Sequence, residues 1–229
     1  MRKMSHEKQK NIDSGRIAQK MKTRKKLLVA ANKMMIQGEE IKLEQVAKEA
    51  GVSKATVYRY FSNKEILQRE ASLENKSEDK DDLFSAFSIE DITGRINKLV
   101  QYHFDVLTNN EVEFRLYLSA IIQDSVQNKQ SYSRAGRRIL LTEEALISLK
   151  KTIPKEQFDK MVSAISVVLG IESITILKDL CGLENDKILE TWKWMIDRII
   201  SDSLSIAILA IIISSVYYIH FQSLNNCLF

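Results

Sequence analysis

The sequence predicts an all-α protein, and three observations lead to that fold class. The 229 residues include one proline and seven glycines, fewer turn-forming residues than an all-β fold requires. Lys, Glu, Leu, Ile, Ala and Gln are abundant and suit helices. The apolar fraction of 45% supports a packed core rather than a disordered chain. We therefore expect a helical chain that forms one large domain or two modest ones.

Apolar residues at helical spacing predict a first helix from Met21 to Gln37, with Gly38 at its C-terminal end. The preceding segment, residues 1–18, is polar and basic and lacks this periodicity, so we predict a flexible basic arm. Such an arm can follow phosphates or enter a minor groove, and a solvent-facing tail has the same composition. Both interpretations stay open.

The stretch from Lys42 to Phe61, KLEQVAKEAGVSKATVYRYF, predicts two short helices joined by a glycine turn. Gly51 ends the first helix because glycine adopts a positive φ at little cost. Ser53 is the expected N-cap of the second helix. This order is the helix-turn-helix arrangement, although a helical hairpin without a ligand has the same outline. Another helix is predicted from Lys64 towards Glu74.

Charge is distributed unevenly along the chain. Residues 1–70 hold 17 Lys or Arg and 8 Asp or Glu, whereas residues 71–229 hold 17 and 22. A basic end is typical of a nucleic-acid contact, and charge alone fits a solvated tail equally well.

The string GVSKATVYRYF, followed by Asn63, Lys64 and Leu67, resembles the TetR/AcrR family of bacterial transcription regulators. The resemblance covers about residues 19–79 and implies a three-helix DNA-binding domain with its motif at 42–61. It further implies a helical effector-binding and dimerisation domain over 80–203, where the resemblance is weaker. The expected function is a dimeric repressor, released from a double-stranded DNA operator by an unknown small-molecule effector.

Side-chain chemistry and this resemblance together predict the DNA contacts. Hydroxyl groups can hydrogen-bond phosphate oxygens or base edges, and Lys or Arg can read guanine in the major groove. By the resemblance, Lys64 takes the place of the family's phosphate-contacting lysine. We expect the polar members of the recognition helix, Tyr60 included, on its open faces. The full predicted set is Lys42, Ser53, Lys54, Ala55, Thr56, Tyr58, Arg59, Tyr60 and Lys64.

The second half of the chain predicts further helices. Their approximate ranges are 89–108, 114–122, 134–151, 158–180 and 185–203. By the resemblance, the last two pair with their copies in a second subunit to form a four-helix interface. Trp192 and Trp194 are expected in a core or an interface.

No enzymatic site is predicted. The sequence has no phosphate-binding glycine motif and no His-Glu-x-x-His, and its three histidines are dispersed. His103 is expected to be an interior histidine, with an effector contact as the alternative. Cys181 and Cys227 have no metal-type spacing and predict free thiols. We therefore expect no catalytic residue, no metal and no cofactor.

The segment 204–221, LSIAILAIIISSVYYIHF, is unusual for such a regulator. It has 14 apolar or aromatic residues out of 18, and no charged residue occurs from Ser203 to the end. As a helix it is about 27 Å long, just under the hydrocarbon thickness of a bilayer. One interpretation is a membrane anchor that holds the regulator at the cytoplasmic face, with residues 222–229 as a tail. The other is a buried helix in a cytoplasmic, nucleoid-associated protein.

A different class of function also fits the sequence. A helical interaction or membrane-tethering protein can use a helix-turn-helix for protein contacts. DNA binding that weakens steeply with salt separates the regulator from this alternative.

Overall fold

The computed structural model describes residues 6–74, 83–127 and 136–226, with side chains for 19–74, 83–127 and 136–205. All regular secondary structure in these ranges is helical, which confirms the predicted fold class. The helices are α1 (His6–Ile36), α2 (Leu43–Glu49), α3 (Lys54–Tyr60), α4 (Lys64–Glu74), α5 (Ile92–Thr108), α6 (Glu111–Gln127), α7 (Arg137–Ala145), a 3-10 helix (Ile147–Lys151), α8 (Lys155–Val168), α9 (Ile171–Asp179) and α10 (Asn185–Asn226).

The chain forms two compact units. Unit 1 comprises Met1–Ser77 and Asn109–Arg137, and unit 2 comprises Glu78–Thr108 and Arg138–Phe229. The sequence-based division at residue 79 places residues 109–137 in the second domain, whereas the compact units group them with the N-terminal helices. The predicted domain roles stay predictions.

Unit 1 is built around one apolar core from α1, α2, α3, α4 and α6. Its fully buried members are Leu27, Ala31, Val46, Val57, Phe61, Leu67 and Ala71. Leu27 and Ala31 in α1, like Leu67 and Ala71 in α4, are four residues apart, so each pair lies on one apolar face of its helix. Burial of these faces away from water is the main stabilising contribution.

Helix α1 begins at His6, fifteen residues before the predicted start at Met21, so that predicted start is wrong. Periodicity gave no signal there because the added segment, HEKQKNIDSGRIAQK, is mostly polar. Its Lys, Gln, Arg and Ala residues have good intrinsic helix propensity even without an apolar stripe. Residues 1–5 of the predicted arm lie outside the described residues, and its flexibility stays a prediction.

The interior of unit 2 is formed by α5, α8, α9 and α10. Trp192 of α10 is fully buried, with its indole N–H donating to Ser173 Oγ at 2.9 Å and its ring edge-on to Phe104. His103 is buried, with Nδ1 3.0 Å from the Leu99 carbonyl oxygen, which fits the expected interior histidine. Trp194, two residues after Trp192, is 64% exposed.

Two long helices predicted in unit 2 are broken. The 134–151 prediction corresponds to α7 followed by the 3-10 helix, and residues 128–135 lie outside the described residues. The 158–180 prediction is wrong because Gly170 separates α8 from α9. A Cβ atom at Gly170 would lie 1.8 Å from Arg138 Nη1, and Arg138 pairs with Glu172 at 3.2 Å. A larger residue at this position would have to displace the Arg138 and Glu172 side chains.

Helix α10 continues through the apolar segment 204–221, so the helix predicted to end at Ser203 and the apolar helix are one element. The side chains beyond Ser205 lie outside the described residues. The membrane anchor and the buried helix therefore both stay predictions. Within the residues whose side chains are described, which end at Ser205, no single helix is both long and apolar enough to cross a membrane. Within the same residues, α8 and α9 taken together, with a 51° bend between them, meet that length and composition.

Candidate nucleic-acid interface

Helices α2 and α3 form the predicted helix-turn-helix. Gly51 has a φ of +68°, which confirms the positive φ expected at the turn. The Val52 N–H donates to the Ala47 carbonyl oxygen at 2.9 Å and closes the turn. The Ser53 hydroxyl caps α3 by accepting from the Thr56 N–H at 3.2 Å. The fully buried Val57 fixes the rotation of α3, so its opposite face points to solvent.

The solvent face of α3 carries most of the predicted contacts. Ser53, Lys54, Ala55 and Arg59 are exposed, and Tyr58 is 39% exposed. Thr56 is half-buried, and its hydroxyl lies 2.8 Å from that of Ser53. This face therefore presents two cations, an aromatic ring and hydroxyl groups, which suits contact with phosphates and base edges.

Tyr60 departs from the expectation. It is only 8% exposed and packs in the core of unit 1, so the open face predicted for it is wrong. Tyr60 lies three residues after Val57 and so falls on the same side of α3 as that buried residue. The Arg59 guanidinium covers its ring at 5.5 Å from the ring centre. Tyr60 is not among the residues that we propose to contact DNA.

Lys42 and Lys64 flank this face at the start of other helices. Lys42 immediately precedes α2 and lies 3.1 Å from Glu40, and Lys64 is the exposed first residue of α4. The Asn63 side chain accepts from the Ile66 N–H at 2.9 Å, which caps α4. Cations beside helix N-termini make local sites of positive potential, as phosphate binding requires.

Glu44 of α2 was not predicted from the sequence, yet it contacts two predicted site residues. Its Oε1 accepts from the Tyr58 hydroxyl at 2.7 Å and lies 2.9 Å from Lys54 Nζ. The hydrogen bond from Lys54, followed by that from Tyr58, lowers the pKa of Glu44 to about 2. Nothing in the helical periodicity distinguishes Glu44, because only the crossing of α2 and α3 brings it to this face.

A buried polar cluster holds unit 1 together behind the solvent face. Arg24 of α1 donates two hydrogen bonds of 2.5 Å to Glu70 of α4, and the Tyr117 hydroxyl of α6 donates to the same carboxylate. The Arg24 guanidinium also covers the Phe61 ring at 4.6 Å. Burial acts to lower the pKa of Arg24, but its bonds to Glu70 outweigh that effect and the pKa is raised. Three helices therefore meet at one carboxylate.

The solvent-facing side of α1 adds positive charge that the predicted set omits. Lys22, Lys25, Lys26 and Lys33 line a shallow groove with Val29, next to the C-terminal end of α2. Lys33 pairs with Glu49 at 2.5 Å. The uneven charge of residues 1–70 is the sequence signal for this surface.

Comparison with known families gives one match. Residues 27–71 match the family model described as "Bacterial regulatory proteins, tetR family". The chain therefore carries a tetR-family regulatory domain. No curated protein and no solved structure matches the chain.

The tetR-family domain runs from the last third of α1 through most of α4 and contains all nine predicted contact positions. At this level the protein is a DNA-binding transcriptional regulator, and regulators of this family are generally not enzymes. The individual DNA contacts stay predictions. Among the described residues, no group of His, Cys, Asp or Glu side chains is placed to hold a metal ion.

Proposed function

We propose that the protein is a dimeric repressor that binds a double-stranded DNA operator through α3 and leaves it when a small molecule binds unit 2. The observation that carries the proposal is the solvent face of α3 within the tetR-family domain. Lys54, Tyr58 and Arg59 project from this face, and Lys42 and Lys64 lie at the starts of the neighbouring helices. Together they supply base-reading and phosphate-binding groups in one domain.

Exposed apolar residues in unit 2 support the dimer. Val167 of α8 is 72% exposed, Ile176 of α9 is 52% exposed, and Trp194 of α10 is 64% exposed. Leu180, just after α9, is 81% exposed. These residues belong to the helices that, by the family resemblance, pair with their copies. A two-fold dimer places two recognition helices about one DNA turn apart.

Three buried polar atoms in unit 2 support a small-molecule site there. Arg95 Nε, Ser148 Oγ and Ser166 Oγ have no hydrogen-bond partner among the described residues. Buried polar atoms are normally satisfied by protein, ordered water or a ligand. A polar effector can supply such partners, and repression is relieved if it binds one spacing of the recognition helices better than the other.

Selection of bound sites from random DNA tests the proposal. We expect a short two-fold symmetric sequence to be enriched, with two chains bound per site in native mass spectrometry. Affinity for that site should fall steeply between 50 and 200 mM salt, as about 6 to 10 phosphate contacts would require. Absence of enrichment, together with binding that salt does not weaken, would contradict the proposal and favour a protein-interaction role.

We place the regulator in the cytoplasm with the nucleoid, and the apolar segment 204–221 keeps a membrane-anchored form as the alternative. The segment carries no charged residue. Cell fractionation separates the two locations. Protein that stays with membranes through a high-salt wash and is released only by detergent would contradict the nucleoid location. Removal of residues 204–229 should then return it to the soluble fraction.

A further inference from the structure

We propose that Glu44 is a specificity-determining residue of the DNA interface, which suppresses binding to non-specific DNA by holding Lys54 and Tyr58. The inference rests on the proposed function and assigns a role to a residue outside the predicted contact set. It further predicts that the preferred operator presents an exocyclic amino group, from cytosine or adenine, to Glu44 in the major groove.

The geometry joins three exposed side chains from two helices into one cluster. Glu44 lies in the first turn of α2, and Lys54 and Tyr58 lie on consecutive turns of α3. A single carboxylate oxygen, Glu44 Oε1, lies 2.9 Å from Lys54 Nζ and 2.7 Å from the Tyr58 hydroxyl. Lys54 Nζ also lies 5.8 Å from the centre of the Tyr58 ring. Two groups predicted to bind DNA are therefore already bound to a carboxylate.

This arrangement opposes contact with DNA of arbitrary sequence. A phosphate that takes Lys54 must displace Glu44 and then faces an uncompensated carboxylate. Because every duplex has the same phosphates, the penalty applies to every sequence alike. The cluster thus removes one cation from the count available for non-specific binding.

A matching base offsets this penalty. Cytosine presents an N4 amino donor in the major groove, and adenine an N6 amino donor, either of which a carboxylate accepts. At such a site Glu44 gains a new partner while Lys54 and Tyr58 turn to the DNA. At sites without such an amino group the carboxylate gains no new partner. The difference in affinity between the two kinds of site is the sequence specificity that Glu44 provides.

Because the cluster is exposed, a DNA phosphate can reversibly replace Glu44 as the partner of Lys54. The side chains of Lys54 and Glu44 are 68% and 44% exposed. Exposed ion pairs contribute little to stability, so a phosphate can compete with Glu44 without unfolding the domain. The lowered pKa of Glu44 keeps the carboxylate charged at neutral pH, so the restraint is constant there.

The test compares the full chain with its Glu44→Gln variant on two labelled duplexes, one of random sequence and one carrying the selected site. Gln keeps the shape of the side chain and removes its charge. We expect affinity for the random duplex to rise about 3- to 10-fold, with a slope of log K against log salt steeper by about one. Affinity for the selected site should change less, so the ratio of specific to non-specific affinity falls at least about threefold.

Two further variants sharpen the test. Glu143→Gln makes the same change of charge in unit 2 and releases Lys150, which lies 3.2 Å from Glu143 and outside the proposed interface. It should leave the specificity ratio unchanged. In a Lys54→Gln background, Glu44→Gln should no longer raise non-specific affinity, because no cation remains to be released.

Several results would overturn the inference. One is an unchanged specificity ratio in Glu44→Gln while the wild-type chain binds DNA in a salt-dependent way, and in that case the proposed function stands. A rise of equal size in Glu143→Gln identifies a general charge effect instead. A loss of affinity for both duplexes makes Glu44 a supporting residue of α3. Absence of DNA binding in every variant and in the wild type overturns the proposed function together with the inference.

Discussion

The buried arginines of the two units differ in how completely their nitrogen atoms are hydrogen-bonded. In unit 1, Arg24 lies over the Phe61 ring and donates two hydrogen bonds to Glu70, which also accepts from Tyr117. In unit 2, Arg95 lies over the Phe84 ring at 4.5 Å, and its Nη2 donates to the Glu144 carbonyl oxygen at 2.6 Å and to the Glu144 carboxylate at 3.3 Å. Its Nε atom, however, has no partner among the described residues.

The other described polar atoms that are buried without a hydrogen-bond partner also lie in unit 2. Ser148 Oγ and Ser166 Oγ, both in unit 2, also lack partners, whereas no buried side-chain nitrogen or oxygen in the described part of unit 1 does. An unsatisfied buried polar group costs about 1–3 kcal/mol. Unit 1 is therefore arranged for one fixed geometry, as a DNA-reading domain requires. Unit 2 retains buried polar atoms to which water or a ligand can hydrogen-bond.

The largest expected effect comes from breaking the polar cluster of unit 1. Glu70→Ala should destabilise unit 1 by about 3–5 kcal/mol, because it leaves the Arg24 guanidinium buried without its carboxylate. Hydrogen exchange of the α1 and α4 amides measures this loss. Tyr117→Phe is the matched control, since it removes one hydrogen bond and keeps the ion pair, with an expected cost of about 1 kcal/mol. Equal losses in both variants would mean that the cluster does not hold the unit together.

The smallest effect, of opposite sign, is expected in unit 2. Ser166→Ala removes a hydroxyl without a described partner, so it should leave stability unchanged or raise it by up to about 1 kcal/mol. Thr142→Val is the control, because the buried Thr142 hydroxyl donates to the Arg138 carbonyl oxygen at 2.8 Å. That variant should lose about 1 kcal/mol in urea unfolding followed by tryptophan fluorescence. If Ser166→Ala is as costly as Thr142→Val, the contrast between the units is wrong.

Local signals explain why the helix-turn-helix was predictable. Gly51 ends α2 with a positive φ, Ser53 caps α3, and Lys64 begins α4 as expected. Each of these features depends on the conformation of a single residue and its near neighbours, which the sequence shows directly.

Features set by tertiary contacts were not predictable from one sequence. The break at Gly170 lies where the side chains of Arg138 and Glu172 occupy the space that a Cβ atom would take. Glu44 joins the site only through the crossing of α2 and α3. In both cases the partner is remote in sequence or belongs to another helix. Tyr60 differs, because it lies three residues after the buried Val57 and helical spacing alone places it on the buried side of α3.

The most direct test of DNA recognition by unit 1 is the salt dependence of operator binding in Lys64→Gln. Lys187→Gln, in unit 2, is the charge-matched control, since Lys187 is also exposed and pairs with Glu190 at 2.9 Å. We predict that Lys64→Gln weakens binding to every sequence by about tenfold and reduces the slope of log K against log salt by about one, while Lys187→Gln changes neither. Equal slopes in the wild type and both variants would contradict the assignment of the interface to this face of unit 1.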